Sequence, residues 1–430
     1  MFFLYLGETI DYQIKRVRNH VLMALKNKSE SFPKSGSPAA SFDRIQSIDI
    51  IRAITMVLMI FVNDFWSLKD IPAWLGHVER GVDGIGLSDV IFPAFLFIVG
   101  LSLPYAVENR RKKGDSDWQL VKHVLSRTLA LLVMGLFLVN GESINAEATG
   151  IKRWIWNPLS CLCFILIWNV YSKNINKTLV LILRAAGILT LLIMAYLYRG
   201  GEEGLSRFEP HWWGILGLIG WAYLASALIT VFSRNNFYGL LAGWLFFCVL
   251  SVASKAGYVP AFLSFIPDAI RGGTLTGLTM GGVLAAFIFR YYVGRNDSQK
   301  LTLIFLVWSV VLIGLSVATR PYWGLAKLGA TPAWLFLCSA FTLLAFLLIY
   351  WIADVSKKSA WFNFIKPAGT DTLLCYLVPT FMYMMFRLIG LKFPEVLITG
   401  SAGLLKSFCF ALLCVLATRG LNRIGVKLKI

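Results

Sequence analysis

Charge is what this chain has least of. Only 15% of its 430 residues are Asp, Glu, Lys or Arg, while 57% are hydrophobic and the mean hydropathy is +0.68. A soluble surface of that size needs more charge to be wetted, so a soluble multidomain protein is excluded. Familiar catalytic spacings are missing as well: there is no H-x-x-x-H, no GxxxxGK[ST] and no G-x-S-x-G. Zinc hydrolases, P-loop NTPases and nucleophile-elbow hydrolases recognisable by motif are thereby set aside, and no metal is expected. No C-x-x-C occurs, and Cys161, Cys163, Cys248, Cys338, Cys375, Cys409 and Cys414 all fall in apolar runs. They read as small core residues rather than disulfides or metal ligands. A cleavable signal peptide is also lacking. The first stretch is polar and basic, with the linker "SESFPKSGSPAASF" before the first apolar run.

What the sequence has is apolar runs of membrane-crossing length, near 48–66, 87–106, 121–140, 155–171, 178–198, 213–233, 238–254, 274–293, 301–318, 333–353, 370–390 and 398–418. The expected fold is an all-α polytopic membrane protein, a bundle of about twelve transmembrane helices. The fourth and seventh runs are the shortest. With the N-terminus cytoplasmic, about 24 Lys/Arg fall in inner segments and about 11 in outer ones, as the positive-inside rule requires. Both termini are then cytoplasmic. The organisation reads as a basic tail and linker over 1–44, a transmembrane domain over 45–420 and a basic tail over 421–430. The net charge of +18 reflects this loop bias, and its short-loop distribution argues against nucleic acid as a partner. The lipid bilayer is the expected surrounding, and association as a homodimer stays open. No internal repeat is evident, which counts against inverted-repeat transporters. The glycines of "TLTGLTMGG" suit close helix packing.

Polar residues cluster in one place, the stretch "VNDFWSLKDIPAWLGHVERGVDGIGLSDVIFPAF" joining the first two runs, which is external in this topology. Asp49 and Arg52, three apart at the inner end of the first run, share a helix face and read either as a functional pair or as a snorkelling ion pair. Asn63 lies fourteen residues further on, about 21 Å along a helix, where a carboxamide can cap, bond a neighbour or polarise a carbonyl. His77 is one of four histidines. The others are His20 in the basic tail, His123 at the inner start of a run and His211 just outside another. Imidazole both accepts and donates a proton near neutral pH, and Glu79, Asp83 and Asp89 stand close in sequence to orient it. Asp89 also suits helix capping, and Pro93 would free backbone groups near the outer mouth.

"SIDIIRAITMVLMIFVN", then His77, then "LSDVIFPAFLFIVGLS" resemble the transmembrane acyltransferases typified by heparan-alpha-glucosaminide N-acetyltransferase, most closely their bacterial multi-span members. The resemblance is strong over about 44–105. It continues in "FIKPAGTDTLLCYLVP" and, more weakly, in "HWWGILGLIGWAYL". Three differences stand out: Ala53 replaces the Gly after the motif Arg, the spacer from Asn63 to His77 is longer, and "HVERGVDG" replaces H-x-x-W-N-G. The resemblance implies an integral enzyme of the bacterial inner membrane. It would move an acetyl group from cytoplasmic acetyl-CoA to an amino sugar or glycan on the far side. It implies His77 as catalytic base and Asn63 as donor to the thioester carbonyl, with Asp89 or Glu79 orienting the ring. Asp49 and Arg52 occupy the family's first motif, and Arg52, Lys122 and Arg127 on the inner side suit the nucleotide phosphates. Direct transfer and an acetyl-histidine intermediate both fit. An O-acyltransferase of surface glycans, or a transporter with no acyl transfer, are the alternatives.

Overall fold

Long apolar runs that lack water as a hydrogen-bond partner must satisfy their own backbone, so they fold as helices. The computed structural model describes residues 45–430, and the expected 1–44 tail, with His20, lies outside them. Twelve long helices lie among the described residues: α1 (Gln46–Asn63), α2 (Leu87–Lys112), α3 (Asp117–Asn140), α4 (Arg153–Trp168), α5 (Lys177–Leu197), α6 (Ile215–Ser233), α7 (Phe237–Lys255), α8 (Thr274–Val293), α9 (Ser298–Trp323), α10 (Pro332–Tyr350), α11 (Thr372–Leu388) and α12 (Gly400–Arg423). Each falls on one of the apolar runs. Nine are long and apolar enough to cross a membrane, and α4 and α11 are shorter apolar helices. The protein is thus an all-α integral membrane bundle. The second short helix is α11 rather than α7, which spans 19 residues.

Contacts between helix ends sort the helices alternately. Asn169 bridges to Leu428, and Gln46 N–H donates to Asp354, at the end that carries the start of α1 and the finish of α12. Lys69 bridges to Thr399, and Ile144 to Gly200, at the other end. These are called here the terminal end and the distal end.

Glycine sets the closest approach in the bundle. A Cβ on Gly100 of α2 would strike the carbonyl of Thr279 on α8, and one on Gly282 would strike that of Phe97. The Gly-rich run of α8 therefore acts in helix packing, backbone against backbone. Gly369, in the short helix Lys366–Thr370, has no room for a Cβ against the Asp49 carbonyl of α1. This contact joins the two sequence stretches that carry the resemblance, and Arg52 Nη1 seals it by donating to Gly369 O, 317 residues away, at 3.0 Å. Six of the seven cysteines are buried, Cys409 is exposed, and all are free.

Candidate functional site

The link between α1 and α2 is stitched onto the first turn of α2. Ser88 Oγ donates to Leu75 O at 2.6 Å, and the buried Leu75 side chain anchors the turn before His77. Gly86 and Gly76 touch so closely that a Cβ on Gly86 would overlap the Gly76 carbonyl. His77 is thereby held over Asp89, with Nδ1 and Oδ1 2.7 Å apart. The Asp89 side chain is 2% exposed and that of His77 51%. Oδ2 of Asp89 accepts from Val78 N–H at 3.0 Å and from Gly86 N–H at 3.1 Å. Asp89 both caps α2 and fixes the imidazole.

A proton on Nδ1, donated to the Asp89 carboxylate, leaves the lone pair on Nε2. That nitrogen has no hydrogen-bond partner among the described residues, and the ring is half exposed. An oriented imidazole with one free basic nitrogen is the arrangement a general base needs. Glu79 is exposed, and Asp89 is the carboxylate that reaches the ring.

Pro93 does not break α2. Its missing N–H leaves the main-chain carbonyl of Asp89 without a helical donor, and Trp334 Nε1 of α10 fills the gap at 3.0 Å. The carboxylate's own peptide unit is thus tied to a second helix.

A third charged group was not singled out from sequence. Lys327, between α9 and α10, places Nζ 3.2 Å from His77 Nδ1 and 3.7 Å from Asp89 Oδ1. Burial pushes its ammonium below the ordinary lysine value, while Asp89 pulls it back up. The one signal that could have marked it is a lysine in a segment that the expected topology puts outside, where the positive-inside rule disfavours basic residues.

The Lys327 segment is pinned to the His77 loop through Asp83. Its carboxylate accepts from Leu325 N–H at 2.7 Å and pairs with Arg320 Nε at 3.0 Å, and Gly84 N–H donates to Leu325 O at 2.9 Å. The Leu325 amide, with help from Arg320, holds the Asp83 carboxyl below its ordinary value of 3.8 against a partial opposing effect of burial. A depressed carboxylate contributes stability above the ordinary value, and that contribution is lost as pH falls through the folded value. Hydrogen exchange at the Gly84 and Leu325 amides, relative to intrinsic rates, should therefore stay protected above about pH 4 and lose protection below it. Asp83→Asn should show the loosened pattern at neutral pH. Unchanged protection in that variant would remove Asp83 from this role.

At the terminal end, a cavity of about 650 Å³ is lined by Arg110, His123, Arg127 and Lys429 and by the apolar side chains of Met56, Met59, Phe95 and Val99. Arg127 lies 4.8 Å over the Tyr223 ring, and its buried Nε has no hydrogen-bond partner among the described residues. Arg110 bonds Asp115 at 2.8 Å and His123 Nδ1 at 3.2 Å. The apolar wall rises to Phe95, six residues along α2 from Asp89, a helical rise of about 9 Å.

The other residues expected from sequence fall elsewhere. Lys122 is exposed, 5.7 Å over Trp118, and does not line the cavity. Arg52 bridges Asp49 at 3.2 Å, Gly369 O and Ser102 Oγ, so the pair ties α1 to α2 and to the 366–370 helix. Asn63 ends α1 with an exposed side chain and lines neither this cavity nor a larger one at the distal end.

Residues 44–261 match the family described as "Domain of unknown function (DUF5009)". The chain is also similar to heparan-alpha-glucosaminide N-acetyltransferase of Homo sapiens, 30% identical over 101 residues, 23% of this chain and 14% of that protein. The Mus musculus counterpart is 29% identical over 105 residues, 24% of this chain and 15% of that protein. The matched part thus spans about one seventh of these relatives' length.

Proposed function

The chain belongs to the family described as "Domain of unknown function (DUF5009)", and from that premise we propose that it is a membrane-bound acyltransferase. It takes an acetyl group from acetyl-CoA at the terminal, cytoplasmic end. It delivers that group to the amine of an amino sugar, or to a glycan hydroxyl, at the distal face. The observation that carries this reading is the Asp89–His77 pair with its free Nε2, set about 9 Å in helical rise above the apolar wall of a cation-rimmed cavity. The curated relatives are named as acetyltransferases acting on a glucosaminide, which agrees with this chemistry.

In this mechanism Arg127, Arg110 and Lys429 receive the nucleotide phosphates, replacing Lys122 and Arg52 of the sequence-based expectation. Met56, Met59, Phe95 and Val99 would flank the pantetheine arm. His77 Nε2 takes a proton from the acceptor amine or hydroxyl as its nitrogen or oxygen attacks the thioester carbonyl. The tetrahedral centre collapses, the C–S bond breaks, and the imidazolium returns the proton to the departing sulfur. Asp89 stabilises the imidazolium through Nδ1. Asn63, exposed at the end of α1, would donate to the carbonyl oxygen as negative charge builds there.

Arg127→Gln should weaken acetyl-CoA binding by about tenfold or more, the value of a lost charge-assisted hydrogen bond. Isothermal titration of purified protein measures this. An unchanged Kd would move the nucleotide out of the terminal-end cavity.

A further inference from the structure

A second cavity, of about 1170 Å³ at the distal end, takes no part in that mechanism, since neither His77 nor Asp89 lines it. Its floor is a saturated ionic cluster. The 2%-exposed Asp64 accepts from Tyr383 Oη and Lys406 Nζ, each at 2.7 Å, and from Ser407 Oγ. Lys406 is therefore spent. Lys152, Arg153 and Arg387 also line the cavity, and none has an ion-pair partner among the described residues. Arg387 lies 5.6 Å over the ring of Trp154, and Phe386 and Phe393 complete an aromatic wall. Glu142 also lines the cavity and sets one carboxylate against these three cations; burial raises its carboxyl from the ordinary value while the nearby Arg153 lowers it.

Two further features say what kind of ligand fits. Basic residues are scarce at this end, about 11 against about 24 at the other, yet three unpaired ones gather at one cavity. Asn157 also lines it, and its buried Oδ1, packed against Gly141, has no hydrogen-bond partner among the described residues, so an amide turned toward an occupant's hydroxyl would gain the partner it lacks. Helix α11 stops after 17 residues, and the chain runs on through Ile389 and Val396, 69% and 74% exposed. A short helix followed by exposed apolar residues, beside the lining Leu391 and Phe393, suits a mouth at the level of the lipid interface.

We propose that this cavity binds an anionic amphiphile drawn from the bilayer. Its phosphate lies on Lys152, Arg153 and Arg387, its chains lie along Trp154, Phe386 and Phe393, and a headgroup hydroxyl donates to Asn157. A bilayer phospholipid and a lipid-linked saccharide phosphate share this chemistry. The proposal rests on the membrane architecture and not on acyl transfer.

Native mass spectrometry of the full chain, equilibrated with equimolar phosphatidylglycerol, phosphatidic acid and phosphatidylcholine, tests it. Wild type should retain phosphatidylglycerol several-fold over phosphatidylcholine, with phosphatidic acid between them. Asn157→Ala should bring phosphatidylglycerol down to the phosphatidic acid level. The triple variant Lys152→Gln, Arg153→Gln, Arg387→Gln should retain all three lipids equally. Displacement of phosphatidylglycerol by an added polyprenyl-phosphate sugar identifies the lipid-linked source, and its persistence identifies the bilayer lipid; both support the site. Equal retention by wild type, an undiminished preference in the triple variant, or displacement by soluble glycerol phosphate would overturn it. His77→Ala should keep the lipid preference while losing acyl transfer, so failure of one assignment is distinguishable from failure of the other.

Discussion

Replacing His77 with alanine is expected to lower acceptor-dependent release of CoA thiol by about 10²–10⁴-fold, the usual contribution of a positioned general base. The protein should remain folded and inserted. The ring is half exposed, and the loop is held by other contacts: Ser88 to Leu75, Val78 to Asp89, and Asp83 to Leu325. Melting temperature should therefore stay close to wild type while turnover collapses, and acetyl-CoA affinity should be unchanged. Full activity in this variant would take His77 out of the chemistry.

Asp89→Asn should reduce turnover over a similar range, for a different reason. An amide can donate to Nδ1 as well as accept from it, so the ring can settle with its proton on Nε2 and lose its basic face. Asp89→Ala should add a stability loss that His77→Ala lacks. It strands the N–H groups of Val78 and Gly86 beside Lys327, and each unsatisfied buried group costs about 1–3 kcal/mol. Thermal unfolding of the two alanine variants side by side separates the roles. A melting temperature for Asp89→Ala equal to that of His77→Ala would contradict the double function assigned to this carboxylate.

Much of the fold was legible because a membrane helix announces itself by length and apolarity. Its ends were less so. Helix α9 runs on to Trp323, past the apolar run, and this carries Arg320 to Asp83. Likewise α2 continues through Lys112, past the apolar run over 87–106, and this delivers Arg110 to the wall of the terminal-end cavity. Charged helix termini lower the apolar signal without ending the helix. At the candidate site, His77 and Asp89 stood out through resemblance and local charge, and twelve residues separate them. Lys327 is 250 residues from His77, and no sequence periodicity reports a contact of that range. Residue type alone did not separate Arg127, which turns inward over Tyr223, from Lys122, which stays exposed over Trp118. Packing between helices makes that difference.

The central claim is acyl transfer through His77, and thiol release by the purified full chain tests it most directly. Acetyl-CoA would be supplied with a panel of amino sugars and simple glycan alcohols, for wild type and His77→Ala in parallel. CoA release by wild type that depends on an acceptor and is matched by acetylated product, with both lost in the variant, is the predicted result. The absence of acceptor-dependent release across the panel, or release that survives in His77→Ala, would contradict it.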